Sequence, residues 1–213
     1  MSNDDSGILF PVPPGSDKFG PDPGGGLFDG PFDGPFDGMD DGRDDGELKP
    51  LLGDDYYMRA ALRCAQQAAD AGEVPVGAVA VKDGLIIARS WNQVELLKDA
   101  TAHAELMLIA SLPQVVGDWR LDDIDIYVTK EPCAMCAGAM VNSRIRRVIF
   151  GMRDPRCGAA GTALNVTGYP GMLHNVEVTA GLMEEECREM FQAFFRTVRA
   201  NARKKKSGFT PPA

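Results

Sequence analysis

Two short motifs, His103-Ala104-Glu105 and Pro132-Cys133-Ala134-Met135-Cys136, constrain this chain more than any other feature, because together they carry three zinc ligands and one spare carboxylate. A structural zinc is closed by four protein ligands, whereas a hydrolytic zinc keeps three and leaves the fourth position to water. Residues i and i+3 share one helical face, so Cys133 and Cys136 close on one ion from the first turn after Pro132. His103 and Glu105 are two apart and address one site only where a helix starts from a non-helical entry, which the Thr101-Ala102 approach permits. Both motifs therefore belong at helix beginnings. A helix N-terminus favours negative charge and lowers thiol pKa, which helps Cys133 and Cys136 exist as the thiolates zinc requires.

Two thiolates and one neutral imidazole cancel the charge of Zn²⁺ and leave a ligand set that still acidifies water toward neutrality. Glu105, which does not ligate, is the expected proton shuttle from water to a ring nitrogen and then to a leaving amine. Taken alone, a C-x-x-C also admits a redox pair or half of a zinc knuckle. The other histidine, His174, sits in a Leu173-His174-Asn175 context that reads as surface or loop. Cys64 and Cys187 fall on apolar helix faces, where an inert buried thiol is expected. Cys157 lies in a Gly/Ala-rich loop and reads as an exposed free thiol with no evident role.

The composition breaks near Gly53. Residues 1–53 hold 12 acidic and 3 basic side chains, whereas residues 54–213 hold 19 of each, so the net charge of −9 belongs to the first segment. That segment is rich in Gly, Pro and Asp and contains three Phe-Asp-Gly copies at Phe28, Phe32 and Phe36. Such a composition cannot bury enough apolar surface to offset the entropy of ordering, so 1–53 is expected to be a disordered acidic tail, its partner unknown. Residues 54–213 are expected to form one domain. Five irregularly spaced cysteines and an acidic Met1-Ser2-Asn3-Asp4-Asp5 start, without a signal or transit pattern, point to a reducing, cytoplasmic setting. No apolar run approaches the ~20 residues of a membrane span.

From Asp54 the pattern turns regular. Asp54 or Asp55 is the expected N-cap of a helix that carries Met58, Leu62, Ala65 and Ala69 and stops at Gly72. Residues 74–81 read as a strand, Asp83-Gly84 as a hairpin turn and 85–90 as the returning strand. A helix is expected over 102–110, ended by Pro113, then a strand over 124–129, a helix over 134–141 and a short strand over 147–151. The segment 183–202 places Met183, Cys187, Met190, Phe191, Phe194, Phe195 and Val198 on one face, predicting an amphipathic helix packed on the sheet. Strands alternating with helices predict an α/β arrangement with a mixed sheet covered on both faces.

An H-x-E followed by P-C-x-x-C is the signature of the zinc nucleobase deaminases. The chain resembles the bacterial tRNA-specific adenosine deaminases over residues 54–203. The resemblance runs through Glu73-Val-Pro-Val-Gly-Ala78, Trp91-Asn92, Thr101-Ala-His-Ala-Glu105, Glu131-Pro-Cys-Ala-Met-Cys-Ala-Gly-Ala139, Ser143-Arg144-Ile145, Gly151-Met-Arg-Asp154 and Gly158-Ala-Ala-Gly161. It implies hydrolytic deamination of adenosine to inosine at the wobble position of a tRNA anticodon stem-loop. It also implies a homodimer, a three-layer cytidine-deaminase-like α/β/α fold with a mixed five-stranded sheet, and one Zn²⁺ per subunit. The target base is flipped from its loop into the zinc pocket. His103, Cys133 and Cys136 match the zinc ligands, Glu105 the catalytic glutamate, Asn92 a base-contacting asparagine and Asp154 an aspartate near the nucleotide's sugar. The acidic tail, Ala100 in place of a frequent proline, and Lys130 at a usually apolar position depart from the pattern. These departures bear on loop detail and RNA affinity rather than on metal chemistry.

Two other readings use the same residues. A deaminase of a free base or nucleoside, of the guanine or cytosine type, would use the same zinc and glutamate. A non-catalytic RNA-binding subunit would be expected to lack the shuttle carboxylate, and Glu105 is present. Arg196, Arg199, Arg203 and Lys204 to Lys206, with Arg144, Arg146 and Arg147 as a second group, fit either phosphate contacts or a solvated helix end.

Overall fold

The computed structural model describes residues 53–207, with side chains through Arg203, so the acidic segment and the side chains of Lys204 to Lys206 lie outside the described residues. The elements are α1 (Asp54–Asp70), β1 (Gly77–Lys82), β2 (Leu85–Trp91), α2 (Val94–Leu97), α3 (Ala104–Val116), β3 (Asp125–Lys130), α4 (Ala134–Asn142), β4 (Arg147–Met152), β5 (Glu177–Ala180) and α5 (Glu184–Ser207). Five strands form one sheet in the order β2-β1-β3-β4-β5. β1 is antiparallel to both β2 and β3, whereas β3, β4 and β5 run parallel, so the sheet is mixed.

Alternation along the strands decides which layer each helix joins. Ala78, Ala80, Ile126, Val128, Val148 and Phe150 point to one face, where Leu108 and Leu112 of α3 and Met140 and Val141 of α4 close over them. Val79, Val81, Tyr127 and Ile149 point to the other, against Tyr57, Met58, Ala61 and Cys64 of α1 and Cys187 of α5. Central strands buried on both faces need this double cover, and the result is an α/β/α sandwich. The parallel β3–α4–β4 connection places the start of α4 at the C-terminal edge of β3, where open α/β sheets present their binding crevices.

Several boundaries differ from the sequence expectation, each for a local reason. The N-cap of α1 is Gly53, and Asp54 sits in the first turn. Asp54 instead accepts from the Tyr127 hydroxyl at 2.6 Å and the Arg147 guanidinium at 3.1 Å, tying α1 to β3 and β4. Residues 74–76 turn before β1 begins, with the Val76 N–H on the Val74 carbonyl at 2.8 Å. Pro75 has no N–H to give a ladder. Pro113 lies inside α3 rather than ending it; the helix stops at Gly117, whose φ of 81° is the left-handed conformation that closes a helix C-terminus. The short elements α2 and β5 have no apolar periodicity to announce them. β5 is an edge strand whose four residues are mostly exposed. Among the described side chains of α5, Cys187 is the one that is buried; Phe191, Phe194 and Phe195 are half-buried, and Val198 is exposed. The stripe expected to pack on the sheet is buried most deeply in its first turn and only partly beyond it.

β1 and α1 approach closely at Gly77. A Cβ there would stand 2.2 Å from the Ala61 carbonyl oxygen and 2.3 Å from the Ala65 nitrogen, both rigid helix backbone. Gly77→Ala is therefore expected to destabilise the fold by about 3 kcal/mol or more, read as a lowered urea midpoint with the slope unchanged.

Candidate active site and metal centre

The three expected ligands lie on two helix starts that meet. His103 is the N-cap of α3, extended at φ −71° and ψ 148°, so its ring and the first-turn Glu105 side chain reach the same place. Cys133 is likewise the extended N-cap of α4, with Cys136 in the following turn. His103 Nδ1 is 3.6 Å from Cys133 Sγ and 3.5 Å from Cys136 Sγ, and the two sulfurs are 3.6 Å apart. A tetrahedral zinc with Zn–S of about 2.3 Å and Zn–N of about 2.05 Å has ligand–ligand edges of about 3.8 and 3.6 Å. The donor set and its spacing fit zinc. Among the described residues these three form the one His/Cys/Asp/Glu group close enough to share an ion.

The electrostatics of the two sulfurs are coupled. The hydrogen bond with Cys136, and after it that with His103, holds the Cys133 thiol down to about 3 against the burial that raises it. The same sulfur–sulfur contact, with burial, pushes Cys136 up. Zinc binds thiolates, so a cation at this site would favour the deprotonated form of both sulfurs. The Cys133 contact also raises the His103 pKa. Glu105 is 4% exposed, and burial raises its carboxyl above the ordinary value.

A cleft of about 830 Å³ is lined by His103, Glu105, Cys133, Asn92 and Asp154; Cys136 is fully buried beside it. Asn92 is 6% exposed and donates through Nδ2 to Glu73 Oε2 at 3.0 Å, while Glu73 Oε1 accepts the Leu96 N–H at 2.6 Å. Asp154 Oδ2 receives the Lys130 ammonium and the Cys157 thiol, the latter at 2.9 Å, and Oδ1 receives the Arg156 N–H at 2.9 Å. Hydrogen bonds from Cys157 and Lys130 overcome the burial of Asp154 and hold its carboxyl well below the usual range.

The remaining cysteines and His174 are engaged elsewhere. Burial raises the Cys64 thiol to about 11 and the Cys187 thiol to about 12, as inert core thiols require. Cys157 is exposed but donates to Asp154. His174 Nε2 lies 2.7 Å from the Ile145 carbonyl oxygen, a loop contact.

Three contributors to the cleft carry no sequence-based role, Glu73, Glu131 and Lys130, and the inner face of α5 adds Arg188, Phe191 and Phe195 to the Arg199 already read as a candidate phosphate contact. Glu131 is 2% exposed, and its carboxylate accepts the N–H groups of Asp154 at 2.9 Å, Ala160 at 3.2 Å and Thr162 at 3.0 Å. It thereby shapes the loop after β4. The signal for Glu73 and Glu131 was a carboxylate directly before an apolar or Pro-Cys motif, because a buried charge must find donors. Arg188, Phe191, Phe195 and Arg199 of α5 face the cleft, a spacing of one helical face that mixes aromatic and guanidinium groups.

The cytidine and deoxycytidylate deaminase zinc-binding region matches residues 53–152. The tRNA-specific adenosine deaminase of Bacillus subtilis is 46% identical over 146 residues, which cover 68% of this chain and 91% of the relative. A structure solved in studies of A-to-I editing by tRNA:A34 deaminases at the wobble position superposes with a TM-score of 0.61 at 43% identity, covering 63% of this chain and 98% of the other. A guanine deaminase from Nitrosomonas europaea shares the fold at 22% identity and a TM-score of 0.60, over 70% of this chain and 87% of its own. With its metal-binding geometry and these similarities together, the chain belongs to the tRNA-specific adenosine deaminases, zinc-dependent enzymes of the cytidine and deoxycytidylate deaminase family.

Proposed function

We propose that this chain converts adenosine to inosine by hydrolysis at the wobble position of a tRNA anticodon. The observation that carries the reading is the buried Glu105 carboxyl beside a three-ligand metal set, in a cleft of about 830 Å³ that has room for a flipped nucleotide. His103, Cys133 and Cys136 would hold the zinc, which would supply an acidified water as nucleophile. Glu105 takes one proton from the attacking water and delivers it to a nitrogen of the purine ring, then carries the remaining proton of the hydroxyl added at C6 to the leaving amine. C6 gains the water oxygen and the amine departs as ammonia. Asn92 uses one amide N–H on Glu73, which fixes its plane and leaves the other N–H and the oxygen for the base. Asp154 is assigned to the sugar side of the nucleotide by its match to the family's aspartate.

A polynucleotide substrate is favoured over a free base by the cleft wall on α5. Phe191 and Phe195 offer aromatic surface on which splayed bases could stack, and Arg199 offers charge for phosphates, whereas Arg188 is paired with Glu184 and Glu185. A homodimer is part of the proposal, supported by the apolar side chains left exposed on α4 and the loop after β4, among them Met135, Leu164, Tyr169 and Leu173. A cytoplasmic location follows from a tRNA substrate; among the described residues no helix is long and apolar enough to cross a membrane.

The direct test incubates zinc-loaded protein with an anticodon stem-loop carrying adenosine at the wobble position and, separately, with free adenosine, guanine and cytidine. Inosine is expected in the stem-loop alone; ammonia released from a free base with an unmodified stem-loop would overturn the reading.

Glu105→Gln is expected to retain one zinc per chain by metal analysis while turnover falls at least about 10²-fold. Loss of zinc in that variant would reassign Glu105 to the ligand set.

The raised Glu105 pKa sets the acid side of the pH profile. The group must be a carboxylate to accept the water proton, so kcat/KM is expected to fall as pH drops through a value above the ordinary ~4.3 of glutamate. An acid limb at or below that ordinary value would show that another group limits the rate.

A further inference from the structure

We infer that Lys130 is a substrate-binding residue whose ammonium contacts a backbone phosphate beside the target nucleotide, with Asp154 as the group that positions it. The inference deepens the proposed deamination of a stem-loop and rests on that reading. Lys130 is the last residue of β3, three before the metal ligand Cys133, and it lines the same cleft as His103 and Glu105. Its side chain is 18% exposed and pairs with the Asp154 carboxylate, whose side chain is 12% exposed. An ammonium held this far from solvent is costly without a partner, so the pairing explains how a lysine is tolerated there.

The two partners differ in what they have left to offer. A carboxylate has about four acceptor positions. Those of Asp154 face the Lys130 ammonium and the Cys157 thiol on Oδ2, and the N–H groups of Arg156 and, at 3.4 Å, Cys157 on Oδ1. Asp154 is saturated. Lys130 has three N–H donors, and among the described residues Asp154 is its one hydrogen-bond partner. Its Nζ also lies 5.9 Å from the Phe191 ring centroid, between the loop after β4 and α5. The neighbouring Arg153 and Arg156 line the cleft on the same loop as Asp154. A point-charge donor with unused N–H groups, set over the Phe191 ring in a cleft wall that also carries Arg153 and Arg156, matches a phosphate of a strand lying in the cleft.

The test uses the zinc-loaded full chain with Lys130→Met, which keeps length and removes charge, and Lys130→Arg, which keeps charge. Binding of the fluorescent stem-loop is measured by anisotropy across salt concentrations in a Glu105→Gln background, so that the RNA is not consumed. Lys130→Met is expected to weaken binding several-fold and to reduce the slope of log K against log salt by about 0.7, the share of one phosphate on a single strand. Lys130→Arg is expected to retain the slope. With Glu105 intact, Lys130→Met should raise KM and leave kcat within about twofold, the pattern of uniform binding. An unchanged slope, or tighter binding by Lys130→Met, would overturn the assignment by showing that the lysine only screens Asp154. Absence of stem-loop binding together with absence of inosine from the unsubstituted chain would instead remove the stem-loop reading itself.

Discussion

The site depends on two helices that begin at the same point. α3 and α4 each start after an extended residue, His103 and Cys133, and neither side chain hydrogen-bonds its own helix as an N-cap ordinarily does. Both are turned instead toward each other and Cys136. Two positive helix ends aimed at one small volume favour thiolates, and the thiolates in turn favour a divalent cation. The sheet makes this meeting possible: the antiparallel β1–β3 pairing and the parallel β3–β4 pairing set α3 and α4 side by side on one face.

Around that centre the polar groups are buried or half-buried in paired contacts. Glu73 fixes Asn92, Asp154 fixes Lys130, and Glu131 gathers three backbone N–H groups of the loop after β4. Each buried charge has its donors, and no buried side-chain nitrogen or oxygen among the described residues is left without a partner. Such satisfied networks rigidify a site, because any displacement exposes an unpaired charge in a low-dielectric setting. Glu105 stands apart. Its burial raises its pKa, which suits the proton-shuttle role proposed for it.

Much of this was legible in the chain itself. The period of the apolar residues marked the four long helices and the four inner or hairpin strands, and the Asp83-Gly84 turn appears with both residues at positive φ, 50° and 77°. The metal triad was legible because its residue types and spacing suit few other purposes. What escaped was set by tertiary contact. Pro113 continues α3 because the stop signal is Gly117, and Asp54 leaves its capping role because Arg147 and Tyr127 arrive from distant strands. The loop residue Asp154 and strand-end Lys130 could be matched by resemblance or marked as a departure, but their pairing across 24 positions has no local sequence signal. The aromatic and basic residues of α5 were visible as separate patterns, and only the fold turns one of their shared faces to the cleft.

Glu131 adds a constraint on how such an enzyme can diverge. Its carboxylate grips the backbone at Asp154, Ala160 and Thr162, and Gly158 lies so close that a Cβ there would stand 2.3 Å from Oε2. The stretch from 154 to 162 is therefore gauged against the residue two before the first metal-binding cysteine. A length change within it would shift the rim of the cleft relative to the reacting centre, whereas the exposed stretch around Tyr169 to Leu173 carries no such tether to Glu131. Residues 163–167 are still held to 158–161 and to Val176 by backbone hydrogen bonds, so the place where a length change would leave the reacting centre undisturbed is the exposed stretch around Tyr169 to Leu173.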